Sequence, residues 1–193
     1  MLITFQNKDG QIKRKEAFAD THGSHREYQY DANAIDVLVC AGDVCDAGKE
    51  TELRDFFAWF AQQPVPHKLF VAGNHDLPFD LAPEYAMQYI PKGVTCINAG
   101  DVTLGDVKFF VLPVRYLMHE ADRVFLMYPY DIDVLVTHGA PKNILDYNGH
   151  WGCNILREFV DVKKPKVHIF GHAHQDGGQQ KVIGKTLFAN VAV

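Results

Sequence analysis

The chain of 193 residues has no long apolar run. None of its hydrophobic stretches approaches the roughly 18 residues that a membrane helix requires, so no membrane association is expected. The first eighteen residues, MLITFQNKDGQIKRKEAF, hold no sustained apolar segment, so no secretory leader is expected either. Cysteine is sparse. Cys40, Cys45, Cys96 and Cys153 form no C-x-x-C pair, which argues against a zinc ribbon or a dithiol redox site. They read as buried or half-buried free thiols in a reducing compartment, with the cytoplasm as the expected location. Basic residues are also in deficit: 19 Lys and Arg against 24 Asp and Glu give a net charge of −5. A broad electrostatic nucleic-acid binder needs a concentrated basic surface, so nucleic acid is not an expected partner. Lys13, Arg14 and Lys15 form a basic run that could make a local groove but reads more simply as a solvated strand face.

What the chain does have is histidine, ten in all, set in an alternation of short apolar runs and amphipathic stretches. Repeats, low-complexity tracts and linkers are absent, and the length fits one domain over residues 1–193. Residues 2–5 and 11–19 are expected to form a hairpin about 7–10. Strands are expected at 35–41, 68–72, 94–98, 102–104, 107–112, 132–137 and 167–170, with a closing hairpin of 181–183 and 186–191. Helices are expected at 51–62, 83–89, 119–128 and 151–162. In the first, Leu53, Phe56, Phe57 and Phe60 recur at helical spacing and Pro64 and Pro66 follow its end. Strands alternating with helices imply an α/β domain with largely parallel central strands.

Five apolar segments run directly into a glycine-bearing turn with metal-competent side chains. These are Asp20-Thr21-His22-Gly23, Gly42-Asp43, Gly73-Asn74-His75-Asp76, His138-Gly139 and Gly171-His172-Ala173-His174. In a parallel sheet the carboxyl ends of the strands share one edge, where ligands bind, so the five turns are expected to converge. Carboxylate, amide oxygen and imidazole together suit Mn, Fe, Zn or Co better than Ca. The i, i+2 spacing of Asp20 with His22 and of His172 with His174 keeps both donors on one side of an extended segment. A catalytic tetrahedral zinc uses three protein ligands, and here there is a surplus. Two divalent ions sharing a bridging carboxylate account for it.

The blocks DTHG (20–23), GDVCDAG (42–48), GNHD (73–76), THGAP (137–141) and GHAH (171–174), in that order, resemble the signature blocks of the calcineurin-like metallophosphoesterases. The stretch from THGAP through GHWGC to PKVHIFGHAH is particularly similar to the small metallophosphoesterase-domain proteins of the brain-239 type. The resemblance spans about residues 17–191. It implies a four-layer αββα sandwich, two mixed β-sheets packed face to face and flanked by helices. It also implies a first metal on Asp20, His22, Asp43 and His174 and a second on Asp43, Asn74, His138 and His172, with Asp43 bridging. The implied activity is that of a dinuclear phosphoesterase, with a phosphodiesterase favoured over a monoesterase. It would act on small phosphate esters or nucleotides through a water or hydroxide held between the ions. In the resemblance His75 contacts the phosphate and is the usual candidate for general acid, a residue that only positions Asn74 being the alternative, and Asp76 is expected to orient and charge its imidazole.

Other readings stand beside this one. A non-catalytic metal-binding scaffold of the same fold is disfavoured because no ligand position is lost, and a nuclease is disfavoured by the net charge. A protein phosphatase of the same superfamily is a further alternative. Among the remaining histidines, His67 and His119 are expected at the surface and His168 as a structural residue within its strand. His25 and His150 are candidates for lining the substrate pocket, with a surface position the alternative, and Arg115 and Tyr116 are candidates for reaching substrate. Asp46 is expected to cap the following helix. The pattern departs from the family in the charged KRKEAFAD that precedes Asp20 and in Cys45, where Ser, Thr or an aliphatic residue is common.

Overall fold

Alternation along each strand sends successive side chains into two different cores. The computed structural model describes residues 1–7, 9–112, 118–119, 124, 126–127 and 131–193. One sheet contains β1 (Leu2–Gln6), β2 (Ile12–Phe18), β3 (Val37–Cys40), β4 (His67–Phe70) and β5 (Val94–Cys96), in that spatial order. β1 and β2 are the expected antiparallel hairpin, and β2 through β5 run parallel. The second sheet contains β6 (Gly100–Leu104), β7 (Val107–Val111), β8 (Val134–Val136), β9 (Val167–Phe170), β10 (Gln179–Ile183) and β11 (Thr186–Asn190). Its order is β10-β11-β9-β8-β7-β6, parallel from β11 to β7 and antiparallel at both edges.

The two sheets face each other. Val37, Val39 and Leu69 of the first pack with Phe109, Val134, Val136 and Ile169 of the second in one buried cluster. The alternate residues point outward. Leu38, Cys40 and Phe70 meet Leu53, Phe56, Phe57 and Phe60 of helix α1 (Glu50–Ala61). Phe110, Leu135 and Phe170 meet Ile155, Leu156, Phe159 and Val160 of helix α4 (Asn154–Lys163). The result is the expected four layers, αββα. Truncating one of these fully buried phenylalanines to alanine costs about 3–5 kcal/mol. Two short helices, α2 (Pro78–Leu81) and α3 (Pro83–Ala86), lie between β4 and β5. No helix among the described residues is long and apolar enough to cross a membrane.

Several local expectations are corrected. Lys15 is not on a solvated face: its side chain is fully buried and ion-paired with Asp36, while Lys13 pairs with Asp106. The helix expected from residue 151 begins at Asn154, because Trp151 donates its backbone N–H to the Asp146 carbonyl and Gly152 is pressed against Lys142 and Asp146. The single helix expected at 83–89 ends at Ala86 and passes into a 3-10 turn over Met87–Tyr89. His67 is half-buried rather than at the surface, whereas His119 is exposed as expected. Most of the helix expected at 119–128, together with Arg115 and Tyr116, lies outside the described residues.

Candidate metal centre

The five turns do converge, at the carboxyl edge shared by both sheets. Backbone hydrogen bonds hold them together in pairs. Asp20 N–H reaches the Gly42 carbonyl (2.8 Å), and His22 and Gly23 N–H reach the carbonyls of Asp43 (3.1 Å) and Val44 (3.0 Å). From the other sheet, Gly171 N–H reaches the His138 carbonyl at 2.9 Å. Bonds also cross between the sheets: His138 Nδ1–H donates to the Ala41 carbonyl (2.8 Å) and His172 N–H to Asp20 Oδ2 (2.9 Å). The turns approach so closely that a Cβ at Gly42 would stand 2.5 Å from the Gly73 nitrogen, and one at Gly73 would strike Asp43 Oδ1. Asp20, His22, Asp43 and His172 all take the left-handed conformation, with φ of 61°, 43°, 54° and 64°. For residues other than glycine this is a strained arrangement, of the kind concentrated at functional sites.

Three donor triads result. Asp20, His22 and His174 offer atoms lying within 4.8 Å of one another, and so do Asp43, His138 and His172 and, at the rim, His22, Asp46 and His75. His174 Nε2 is 3.3 Å from Asp20 Oδ1 and 3.4 Å from His22 Nε2. His138 Nε2 lies 3.2 Å from Asp43 Oδ2, 3.0 Å from Asn74 Oδ1 and 4.0 Å from Asp20 Oδ1, so it joins the first two groups. Asp20, Asp43 and His138 form a buried floor, and His75 and His174 stand at an exposed rim.

Three observations fit this arrangement to divalent cations. Asp20 Oδ1 is buried without a hydrogen bond. The field recruits positive charge: burial would lower the His138 imidazole, yet the Asp43 and Asp20 carboxylates beside it raise it to about 9. Burial alone would raise Asp43, but the charge and hydrogen bond of His138, aided by the His75 N–H, bring it down to about 2. The third observation is tautomer control. A backbone carbonyl sits on Nδ1 of His138 and on Nδ1 of His22 (Cys45 O, 2.9 Å), leaving Nε2 of each to coordinate. His172, by contrast, is lowered to about 4 by burial and by the His138 charge, which keeps it a neutral donor. Its ring meets the edge of Trp151, with centroids 5.6 Å apart.

His75 occupies the rim, where it joins only the group it forms with His22 and Asp46. Its Nδ1–H donates to the Asp46 carbonyl at 2.7 Å, and its ring stands edge-on to His22 at 4.8 Å. Asp46 therefore does not cap α1. Its carboxylate lies within 4.8 Å of the His22 and His75 ring nitrogens, and Glu52 instead accepts the Lys49 N–H at the helix start. The D-x-x-D spacing from Asp43 is the available signal for a second carboxylate at the site.

Asp76 is also corrected. It does not orient the His75 ring; its fully buried carboxylate accepts the backbone N–H groups of Asp43 (2.9 Å), Val44 (3.0 Å), Cys45 (3.0 Å) and Gly73 (2.9 Å). Burial and the neighbouring Asp43 charge raise it to about 6, against the pull of those N–H groups.

The other histidines separate as follows. His168 is fully buried in β9, bonded through Nε2 to Thr137 Oγ1 (2.9 Å), as expected for a structural residue. His25 neither lines a pocket nor lies at the surface, being buried against Phe56 and Trp59 with Asp55 3.3 Å away. His150 is exposed beside Tyr147.

Comparison with known proteins agrees with this geometry. Residues 17–176 match the calcineurin-like phosphoesterase family. UPF0046 protein K07C11.7 of Caenorhabditis elegans is 35% identical over 181 residues, covering 81% of this chain and 62% of that protein. Metallophosphoesterase domain-containing protein 1 of Homo sapiens is 27% identical over 195 residues, covering 82% of this chain and 60% of that one. The chain thus spans about three fifths of the length of these curated relatives. Among solved structures, TT1561 of Thermus thermophilus shares the fold with a TM-score of 0.62 at 10% identity, covering 92% of this chain and 89% of that one. The chain belongs to the calcineurin-like phosphoesterase family.

Proposed function

With that family membership as premise, we propose that the chain is a dinuclear metal-dependent phosphoesterase that hydrolyses small phosphate diesters, nucleotides among them, in the cytoplasm. The observation that carries the reading is the pair of adjacent triads, Asp20/His22/His174 and Asp43/His138/His172, with His75 at their rim, held through Nδ1 by the Asp46 carbonyl. Asp20, His22, Asp43 and His174 would hold one divalent ion of the Mn, Fe, Zn or Co class, and Asp43, Asn74, His138 and His172 the other. Asp43 would be the shared ligand, since a carboxylate has two anionic oxygens to divide. When bound, such a pair supplies an activated water and neutralises charge on the phosphate oxygens.

The protein's own groups do the rest. His75, fixed through Nδ1 on the Asp46 carbonyl, presents Nε2 to the leaving oxygen and donates its proton there. Asp76 positions Asp43 and Asn74 by tying both of their turns to one carboxylate. The rim carries the imidazoles of His22, His75 and His174 together with the Asp46 carboxylate, whose charge weighs more against the doubly charged phosphate of a monoester than against the single charge of a diester.

The test combines elemental analysis with hydrolysis of bis-p-nitrophenyl phosphate in Mn²⁺. Two ions per chain and measurable turnover are expected. In His75→Gln, turnover should fall by about 10²–10⁴ with the metal content unchanged. Protein holding two ions that hydrolyses no phosphate ester with any divalent metal would overturn the proposal.

A further inference from the structure

A mostly apolar cavity lies beside the turn that carries Asn74 and His75. It has a volume of about 180 Å³ and is bounded by the end of β4, the α2–α3 segment and the turn from β5 to β6. Val71, Ala72, Phe79, Met87 and Ile97 form most of its wall. Glu84 and Asn98, both exposed, supply polar lining.

Its position is set by the chain itself. Val71 and Ala72 lead directly into Gly73-Asn74-His75-Asp76, and Phe79 follows, its N–H bonded to the Asp76 carbonyl at 3.0 Å. The turn that carries Asn74 and His75 is thus flanked on both sides by cavity wall. Two residues of chain span at most about 7 Å, so the wall at Ala72 lies within that distance of the Asn74 backbone. A dry apolar cavity of about 150 Å³ is enough to take up benzene. This one has room for a six-membered hydrocarbon ring against its apolar wall, with Glu84 and Asn98 at its exposed edge.

We infer that this cavity is a specificity subsite for a ring-sized apolar group carried by the phosphate ester. The inference rests on the phosphoesterase reading for the substrate but on the cavity alone for the ring. It narrows the preferred substrates to esters bearing an aryl or comparable hydrocarbon group.

The test measures binding rather than turnover. Phenyl-, benzyl- and phenethylphosphonate are titrated into metal-loaded protein by calorimetry, with methylphosphonate as the reference. Burying one ring should make the best of the three bind about 30-fold tighter than methylphosphonate. Two variants fill the cavity from different walls, Ala72→Leu and Ile97→Phe. Each should bring that ratio close to one and leave methylphosphonate affinity unchanged. Equal affinities in the wild type would overturn the inference. So would a ratio that survives in both variants when their unfolding midpoints match the wild type. If no phosphonate binds, the phosphoesterase reading has failed by itself, and benzene then tests the cavity directly by ligand-observed NMR. Saturable benzene binding lost in both variants supports the ring site, and absence of benzene binding in the wild type overturns it.

Discussion

Asp76→Asn is the most informative single change, because it alters one atom of a fully buried side chain that touches no ligand nitrogen. In the native protein the carboxylate accepts four backbone N–H groups, from Asp43, Val44, Cys45 and Gly73. Its two oxygens divide them evenly: Oδ1 takes Val44 and Cys45, and Oδ2 takes Asp43 and Gly73. An amide keeps one acceptor oxygen, and its NH₂ then confronts the other two N–H groups. A buried donor left without an acceptor costs about 1–3 kcal/mol, so two cost about 2–6 kcal/mol. That is a large share of the roughly 5–15 kcal/mol that keeps a domain folded. With a urea m-value of about 2–3 kcal/mol/M, the unfolding midpoint should fall by about 1 M or more. Urea unfolding followed by circular dichroism reads this directly, with metal content as a second readout, since the turns of Asp43 and Asn74 are the ones released. A midpoint within about 0.3 M of wild type, with two ions still bound, would refute the view that Asp76 organises the centre through the backbone.

Gly73→Ala should abolish metal binding at the Asp43 position while far-UV circular dichroism remains native, because the added Cβ meets Asp43 Oδ1 and, at 2.5 Å, the Asp43 backbone nitrogen. Two tightly held ions in this variant would contradict the crowding. Removal of metal by a chelator should lower Tm by about 8–16 °C for each ion lost, relative to protein at metal concentrations a thousandfold above Kd. That linkage is worth about 4 kcal/mol, and 1 kcal/mol is about 2–4 °C at this size. No change in Tm would sink it. Acid should destabilise the protein through His168, whose burial depresses it from 6.5 to about 3. The unfolded chain binds the extra proton between those values, so the contribution is complete above pH 6.5. It is lost as pH falls, at up to about 1.4 kcal/mol per unit. His168→Gln should flatten the difference in stability between pH 6.5 and 4.5 by that slope, and an unchanged slope would locate the acid sensitivity elsewhere.

Legibility in the sequence follows periodicity. The α1 stripe of Leu53, Phe56, Phe57 and Phe60 and the apolar run of β3 are readable because each repeats at the period of its own element, and both are buried as expected. The turns are readable because each apolar run stops at a glycine beside a donor. Lys15 is not readable. Its charge disguises a position whose partner, Asp36, lies just before β3, a pairing that exists only once β2 and β3 are side by side. Asp76 and Asp46 mislead for a related reason. Adjacency to His75 in sequence implies contact with its ring, but the turn directs the Asp76 carboxylate inward to four N–H groups. It leaves the imidazole to a carbonyl 29 residues earlier. Side-chain chemistry announces which groups can bind metal, whereas backbone donors and acceptors, which every residue has, do the positioning.

That division has an energetic consequence. Four residues of the donor set, Asp20, His22, Asp43 and His172, take left-handed backbone at a cost of about 1–2 kcal/mol each. Two carboxylates are buried side by side, an arrangement that burial alone disfavours. Neither feature stabilises the fold. They persist because they stand at the rim of three packed cores and because the turns are hydrogen-bonded to one another rather than to water. In the protein without metal the nearest remedy for the buried charge is a proton on His138, held between Asp43 and Asp20. A divalent cation held here would oppose the same two carboxylates with more charge and give the buried Asp20 Oδ1 the partner it lacks. The strain and the field therefore point the same way. The edge of the sandwich is built at the expense of stability to a shape suited to cations, and the chelator experiment measures how much of that stability they return.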